Sequence, residues 1–136
     1  MALSASKLKV GDVHTARLVE DLKRTQIVQY AGASGDYNPL HTDEIFTTQV
    51  AGYPSVFAHG MLTMGLTGQA VTALAGTENL LRFGVRFTAQ VWPGDTLTAV
   101  LTVTSVEAGE AVLELTTTNQ DGLVVLSGSA TCRIAP

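Results

Sequence analysis

The chain is short of charge. Aspartate, glutamate, lysine and arginine make up 15% of its 136 residues, well below the usual quarter. From Ile45 to Thr77 none of the four occurs. What remains is 8 basic against 12 acidic residues, a net charge of −4, which argues against a nucleic-acid binder, normally basic. Cys132 is the single cysteine, so no intramolecular disulfide can form; in a strand-like stretch it reads as a small buried hydrophobe, not a nucleophile. Glycine-rich dinucleotide and P-loop patterns are missing, and so is a G-x-S-x-G elbow, which leaves Ser34 and Ser55 as poor nucleophiles. His14, His41 and His59 lack the close spacing of a zinc site and no cysteine joins them, so no metal is expected. The uncharged stretch is no membrane span, because Gln49, Pro54, His59, Gln69 and several Thr and Gly interrupt it. Met1 to Val10 has no apolar run of signal-peptide length. A cytoplasmic protein with neither membrane nor nucleic-acid partner is the expectation.

Hydrophobic residues reach 46%. The length suits one domain over residues 1–136 with a real core. So dry a composition in so small a chain implies that another subunit covers part of the surface.

No internal repeat or linker is visible. Lys9-Val10-Gly11-Asp12 reads as a turn and Val13 to Val19 as an edge-like strand, with His14 a surface residue. Thr25 is placed to cap a short helix through Ala31, ended by Gly32 and Gly35. Asp43 offers an N-cap to a helix over roughly Glu44 to Val50. The longest helix is expected from about His59 to Ala75. It is apolar or small on every face, the pattern of a helix buried on all sides. Gly60, Gly65 and Gly68 weaken it as a helix and fit places where the backbone approaches a sheet or ligand. Strands follow over Leu81 to Val91, Thr96 to Val106, Ala111 to Asn119 and Leu123 to Ile134, rich in Thr and Val. Ala108-Gly109 and Asp121-Gly122 mark tight hairpin turns. Antiparallel strands with one buried helix imply an α+β fold, a sheet curled around that helix.

The densest chemistry lies in Tyr30 to His41, Y-A-G-A-S-G-D-Y-N-P-L-H. Gly32 and Gly35 free the backbone, and Pro39 fixes one φ and restricts Asn38. Asp36 and His41 then stand on a stiff, bent loop, where a carboxylate and an imidazole can share one water as a general acid/base pair. S-G-D-Y-N-P is equally a good turn sequence, with Asp and Asn capping their own backbone. A second pole is Gly60. As the start of the helix it would offer an N–H with no intrahelical partner, at the positive end of the dipole; alternatively His59 or Gly60 merely caps the helix.

The pattern Y-A-x-x-S-G-D-x-N-P-L-H, followed by A-H-G-M-L at Ala58 to Leu62, resembles the MaoC-like, (R)-specific enoyl-thioester hydratase family (hydratase 2). The likeness is strongest over Tyr30 to Leu66 and continues weakly through Arg86-Phe87-x-x-x-Val91 and Pro93-Gly94-Asp95. It implies a hotdog fold with Tyr30 to Val56 as an overhanging segment. It also implies hydration of trans-2-enoyl thioesters of coenzyme A or acyl carrier protein to (R)-3-hydroxyacyl thioesters, or the reverse dehydration. Carried onto matching positions, Asp36 and His41 hold the water and the Gly60 N–H is the oxyanion donor; Asn38, Ser34 and His59 support them. No cofactor is implied. The expected assembly is a homodimer or higher homo-oligomer, with a heteromeric 3-hydroxyacyl-carrier-protein dehydratase as the alternative. A hotdog thioesterase, which generally uses a lone carboxylate, and a non-catalytic acyl-binding subunit fit the residues less well.

Overall fold

The computed structural model describes residues 3–5 and 7–135; Met1, Ala2, Ser6 and Pro136 lie outside the described residues. One antiparallel sheet of five strands carries the fold, in the order β1-β3-β4-β5-β2. The strands are β1 (Val13–Val19), β2 (Leu80–Phe87), β3 (Leu97–Glu107), β4 (Glu110–Thr118) and β5 (Val124–Arg133). β1 is an edge strand, as expected, and β2 is the opposite edge. Strict alternation in β3 and β4 buries Leu97, Ala99, Leu101 and Val103 together with Ala111, Leu113, Leu115 and Thr117, the one-sided pattern of a sheet covered on one face. The β3–β4 hairpin turns through Ala108 and Gly109, both at positive φ (53° and 77°). That is the conformation a tight hairpin demands.

The cover is α3 (Gly60–Ala75), which contacts β1, β2, β3 and β5. Val71 and Ala75 join the core formed by β3, β4 and β5. Near the other end, Leu62 packs in a second cluster with Leu22, Ile27, Ala58, Val91, Leu97, Val125 and Leu126. α3 is not buried on all sides. Met61 is 55% exposed, and Gly65, Gln69 and Ala73, each a further four residues on, are exposed as well. A single sheet covers one side of a helix, so the opposite stripe stays open. None of the helices described is long and apolar enough to cross a membrane.

Several local expectations shift. α1 spans Arg24–Ser34, with Lys23 at the N-cap and no side-chain cap bond; Thr25 lies inside it. Gly32 is helical, and only Gly35, left-handed at φ 76°, ends the helix. Asp43 does cap the next turn, its Oδ1 accepting from Phe46 N at 3.0 Å, but that turn is a π-helix over Phe46–Val50. The strand expected to reach Val91 leaves the sheet at Phe87, and Val91 O accepts instead from Ala58 N at 2.8 Å. His14 is half-buried and not a fully exposed surface residue. It stands opposite Leu101 in the β1–β3 ladder, which places it on the face of the core, and its Nε2 is sealed without a partner among the described residues. Cys132 is buried, and that burial raises its thiol pKa, away from nucleophilic use.

Two helix glycines meet the sheet. A Cβ at Gly68 would stand 3.0 Å from the Phe83 ring, and one at Gly60 would stand 3.2 Å from the Phe87 ring. Gly65 has nothing within 4 Å and faces outward. The tightest position is Gly128 in β5, where a Cβ would lie 2.1 Å from Gly84 O of β2. Gly128→Ala should therefore destabilise the fold by about 3 kcal/mol or more, the upper range for overpacking. Gly84→Ala, in open space, should change stability far less. Urea unfolding midpoints of the two variants check this, and equal midpoints would refute it.

Candidate active site

The motif folds as a chain of backbone caps. Asp36 N donates to Ser34 Oγ at 3.2 Å, and Asn38 N donates to Asp36 Oδ1 at 3.2 Å. Asn38 Oδ1 in turn accepts from Leu40 N at 3.0 Å and caps α2 (Pro39–Thr42), with Pro39 in its first turn. Pro39 suits that position, because its missing N–H would have had no acceptor there. The turn chemistry of Ser34, Asp36 and Asn38 is thus real, and it is what sets His41 on a single helical turn. Ser34 and Asn38 act on backbone. Asp36 keeps its second oxygen free of these caps.

His41 is half-buried, and its Nδ1 lies 2.7 Å from Phe57 O. A carbonyl only accepts, so Nδ1 carries the proton in the neutral ring and Nε2 presents the lone pair. His59 is 2% exposed, and its Nε2 lies 3.0 Å from Asp36 O; by the same reasoning Nε2–H is the donor. Its Nδ1 is sealed without a partner among the described residues. The two imidazoles stack, with centroids 3.9 Å apart and planes 24° apart. Tyr30 meets His59 edge-on at 4.9 Å, and Phe57 meets His41 edge-on at 5.3 Å.

One donor atom each of Asp36, His41 and His59 falls within 4.8 Å of the others. The wide sequence spacing that spoke against a histidine cluster therefore does not keep His41 and His59 apart in space. The stack still fits a shared ion poorly. A zinc ion lies in the plane of each ligating ring at about 2.0–2.1 Å, and nearly parallel planes separated by the 3.9 Å stack do not meet at such a point.

Gly60 directly follows His59 and opens α3, so its N–H has no acceptor within the helix. It borders a hollow of about 390 Å³, whose lining includes Phe57, Thr63, Phe87 and Val125. Asp36 and His41 do not line this hollow; the segment Phe57–Gly60 joins the two places. A side chain at Gly60 would first press on Phe87, itself 46% exposed. An ion pair not expected from the sequence braces the overhang. Arg24 at the start of α1 pairs with Glu44, and Glu44 also accepts from Val56 N at 3.3 Å. The side-chain hydrogen bond raises the Arg24 pKa and lowers that of Glu44. Thr63 carried no sequence signal of its own, and Phe87 entered only through the weak Arg86-Phe87-x-x-x-Val91 likeness. A threonine in an apolar helix and a phenylalanine in a strand look like ordinary packing.

Residues 7–123 match the MaoC like domain family. The chain is 31% identical to the (R)-specific enoyl-CoA hydratase of Aeromonas caviae, over 97% of this chain and 99% of that protein. It is 42% identical to 3-hydroxyacyl-thioester dehydratase Y of Mycobacterium tuberculosis over 65% of this chain, which spans only 31% of that longer protein. The solved structure of the A. caviae (R)-hydratase superposes with a TM-score of 0.84 at 26% identity, covering 96% of this chain and all of that one.

The hydrogen bonds assign opposite tautomers to the stacked rings. Two-bond ¹⁵N–¹H NMR of the neutral imidazoles should find His41 protonated at Nδ1 and His59 at Nε2. His41 protonated at Nε2 would contradict the bond to Phe57 O.

Proposed function

The chain belongs to the MaoC-like dehydratase family with the hotdog fold, and on that premise we propose that it hydrates trans-2-enoyl thioesters to (R)-3-hydroxyacyl thioesters, or runs the reverse dehydration. The observation that carries this reading is the convergence of Asp36 with His41, whose Nε2 is left free by the bond to Phe57 O. Both groups accept hydrogen bonds, so one water can donate to each. In the proposed reaction its oxygen adds to C3 as the pair removes a proton, and a proton is delivered to C2. Both groups face the same water, and the proposed roles of base and acid are assigned to the pair and not to one residue.

Charge that develops on the thioester oxygen needs a donor. The free N–H of Gly60, at the positive end of α3, is the proposed one. Because His59 contacts Asp36 and His41 and immediately precedes Gly60, both poles hang on one short segment. Water and donor then approach the substrate from fixed directions, which supports a single product configuration. The thioester supplies the electron sink, and the proposed route calls on no cofactor. The names of the relatives support coenzyme A thioesters as the substrate class.

Asp36→Asn and His41→Gln should each lower turnover by about 10²–10⁴-fold. The double variant should fall little below the worse single one, since both residues hold the same water. Chiral chromatography should find the (R) product. Near-wild-type turnover in either folded single variant, or an (S) product, would overturn the mechanism.

The partner is proposed to be a second copy. Among the described residues β2 pairs only with β5 and leaves its outer edge open, with Leu81 40% and Phe87 46% exposed. An unprotected edge with apolar side chains is a ready template for another strand. Sedimentation should show at least a dimer, and Arg82→Pro on that edge should weaken it. An active monomer at micromolar concentration would count against this assembly.

A further inference from the structure

Thr63 stands in the wall of the hollow beside Gly60 and is only 3% exposed. Its hydroxyl has no hydrogen-bond partner among the described residues. The other buried threonines, Thr47, Thr67 and Thr117, are satisfied. Thr47 donates to Asp43 O at 2.7 Å, Thr48 to Glu44 O at 2.8 Å and Thr88 to Val124 O at 2.7 Å. Thr67, one turn after Thr63, bonds the Thr117 hydroxyl at 2.8 Å. The carbonyl four residues before Thr63, His59 O, is already taken by the amides of Leu62 and Thr63, at 3.0 and 3.4 Å.

Helical side chains lean toward the N-terminus, so Thr63 leans toward Gly60. If the thioester carbonyl binds at Gly60 N–H with C3 at the Asp36–His41 water, the acyl carbons beyond C3 enter the hollow between Phe57, Phe87 and Val125. A purely aliphatic chain would cover the Thr63 hydroxyl and leave it unpaired, which costs free energy. A chain that carries an oxygen there would accept its hydrogen bond. A site built to bond a substrate group discriminates against the analogue that lacks it.

We propose that Thr63 is a specificity-determining residue that selects acyl thioesters bearing a keto, hydroxyl or ether oxygen in the hollow over aliphatic ones of equal length. This rests on the hydratase reading above. The test compares an aliphatic 2-enoyl-CoA with its ether-substituted counterparts of the same length, the oxygen placed at successive positions. Thr63→Val is close in shape and Thr63→Ser keeps the hydroxyl; circular dichroism checks that both fold. The best oxygenated substrate should outperform the aliphatic one in kcat/KM. Thr63→Val should lower that ratio about tenfold, the worth of one hydrogen bond, and Thr63→Ser should restore most of it. An unchanged ratio in folded Thr63→Val, or a wild type that favours the aliphatic chain over every ether, would overturn the proposal. Calorimetric binding of the saturated thioesters, which cannot be hydrated, reads the same preference without turnover. A wild type that binds them with this ratio yet hydrates no enoyl thioester would sink the hydratase reading and leave Thr63 as the selector.

Discussion

The buried ring of His59 is the contact on which the site depends. One nitrogen holds the carbonyl of Asp36, one face stacks on His41, and the next residue starts the long helix. A rigid ring makes all of these connections with only two side-chain torsions to fix, so little entropy is lost in holding them. The motif loop and the helix N-terminus are far apart in sequence, and this ring ties their geometry together. The remaining aromatic contacts extend the same support. Phe57 meets His41 on one side and Trp92 on another, with Tyr53 beside both Phe57 and Trp92. The rings fill the space between the overhang and the segment that leaves β2.

Where the helix sits follows from what it lacks. At Gly60 and Gly68 the missing Cβ lets α3 approach the phenylalanines of β2, while the larger Leu62 and Val71 anchor it in the two cores. The same close approach leaves a hollow where Thr88–Val91 peels off the sheet. Asp95 is another buried polar group, and it is fully engaged there: its carboxylate accepts from Trp92 N at 2.9 Å and Gln120 Nε2 at 3.0 Å. Thr63, a buried residue in the wall of the hollow, differs in that its hydroxyl has no hydrogen-bond partner among the described residues.

Much of the fold was legible because period-2 and helical patterns need no tertiary information. Val13 to Val19, the hairpins at Ala108-Gly109 and Asp121-Gly122, and the helix to Ala75 emerged with boundaries close to those observed. Errors fell where neighbours decide. Thr25 had the right chemistry for a cap, but the helix begins one residue earlier at Arg24, which pairs with Glu44. His14 looked like a surface residue until the register placed it beside buried Leu101.

For the site, the residues themselves determined which groups could do acid–base work. Only the stretch Tyr30 to His41 concentrates a carboxylate, an amide and an imidazole around a proline turn, and local capping among Ser34, Asp36 and Asn38 follows from their short polar side chains. Which of these groups meet was a matter of folding. The stack of His41 on His59, the tautomers set by Phe57 O and Asp36 O, and the hollow beside Thr63 depend on packing between segments distant in sequence. Spacing along a chain carries no record of such contacts, because a turn or a helix can bring any two surfaces together and only the whole core selects which.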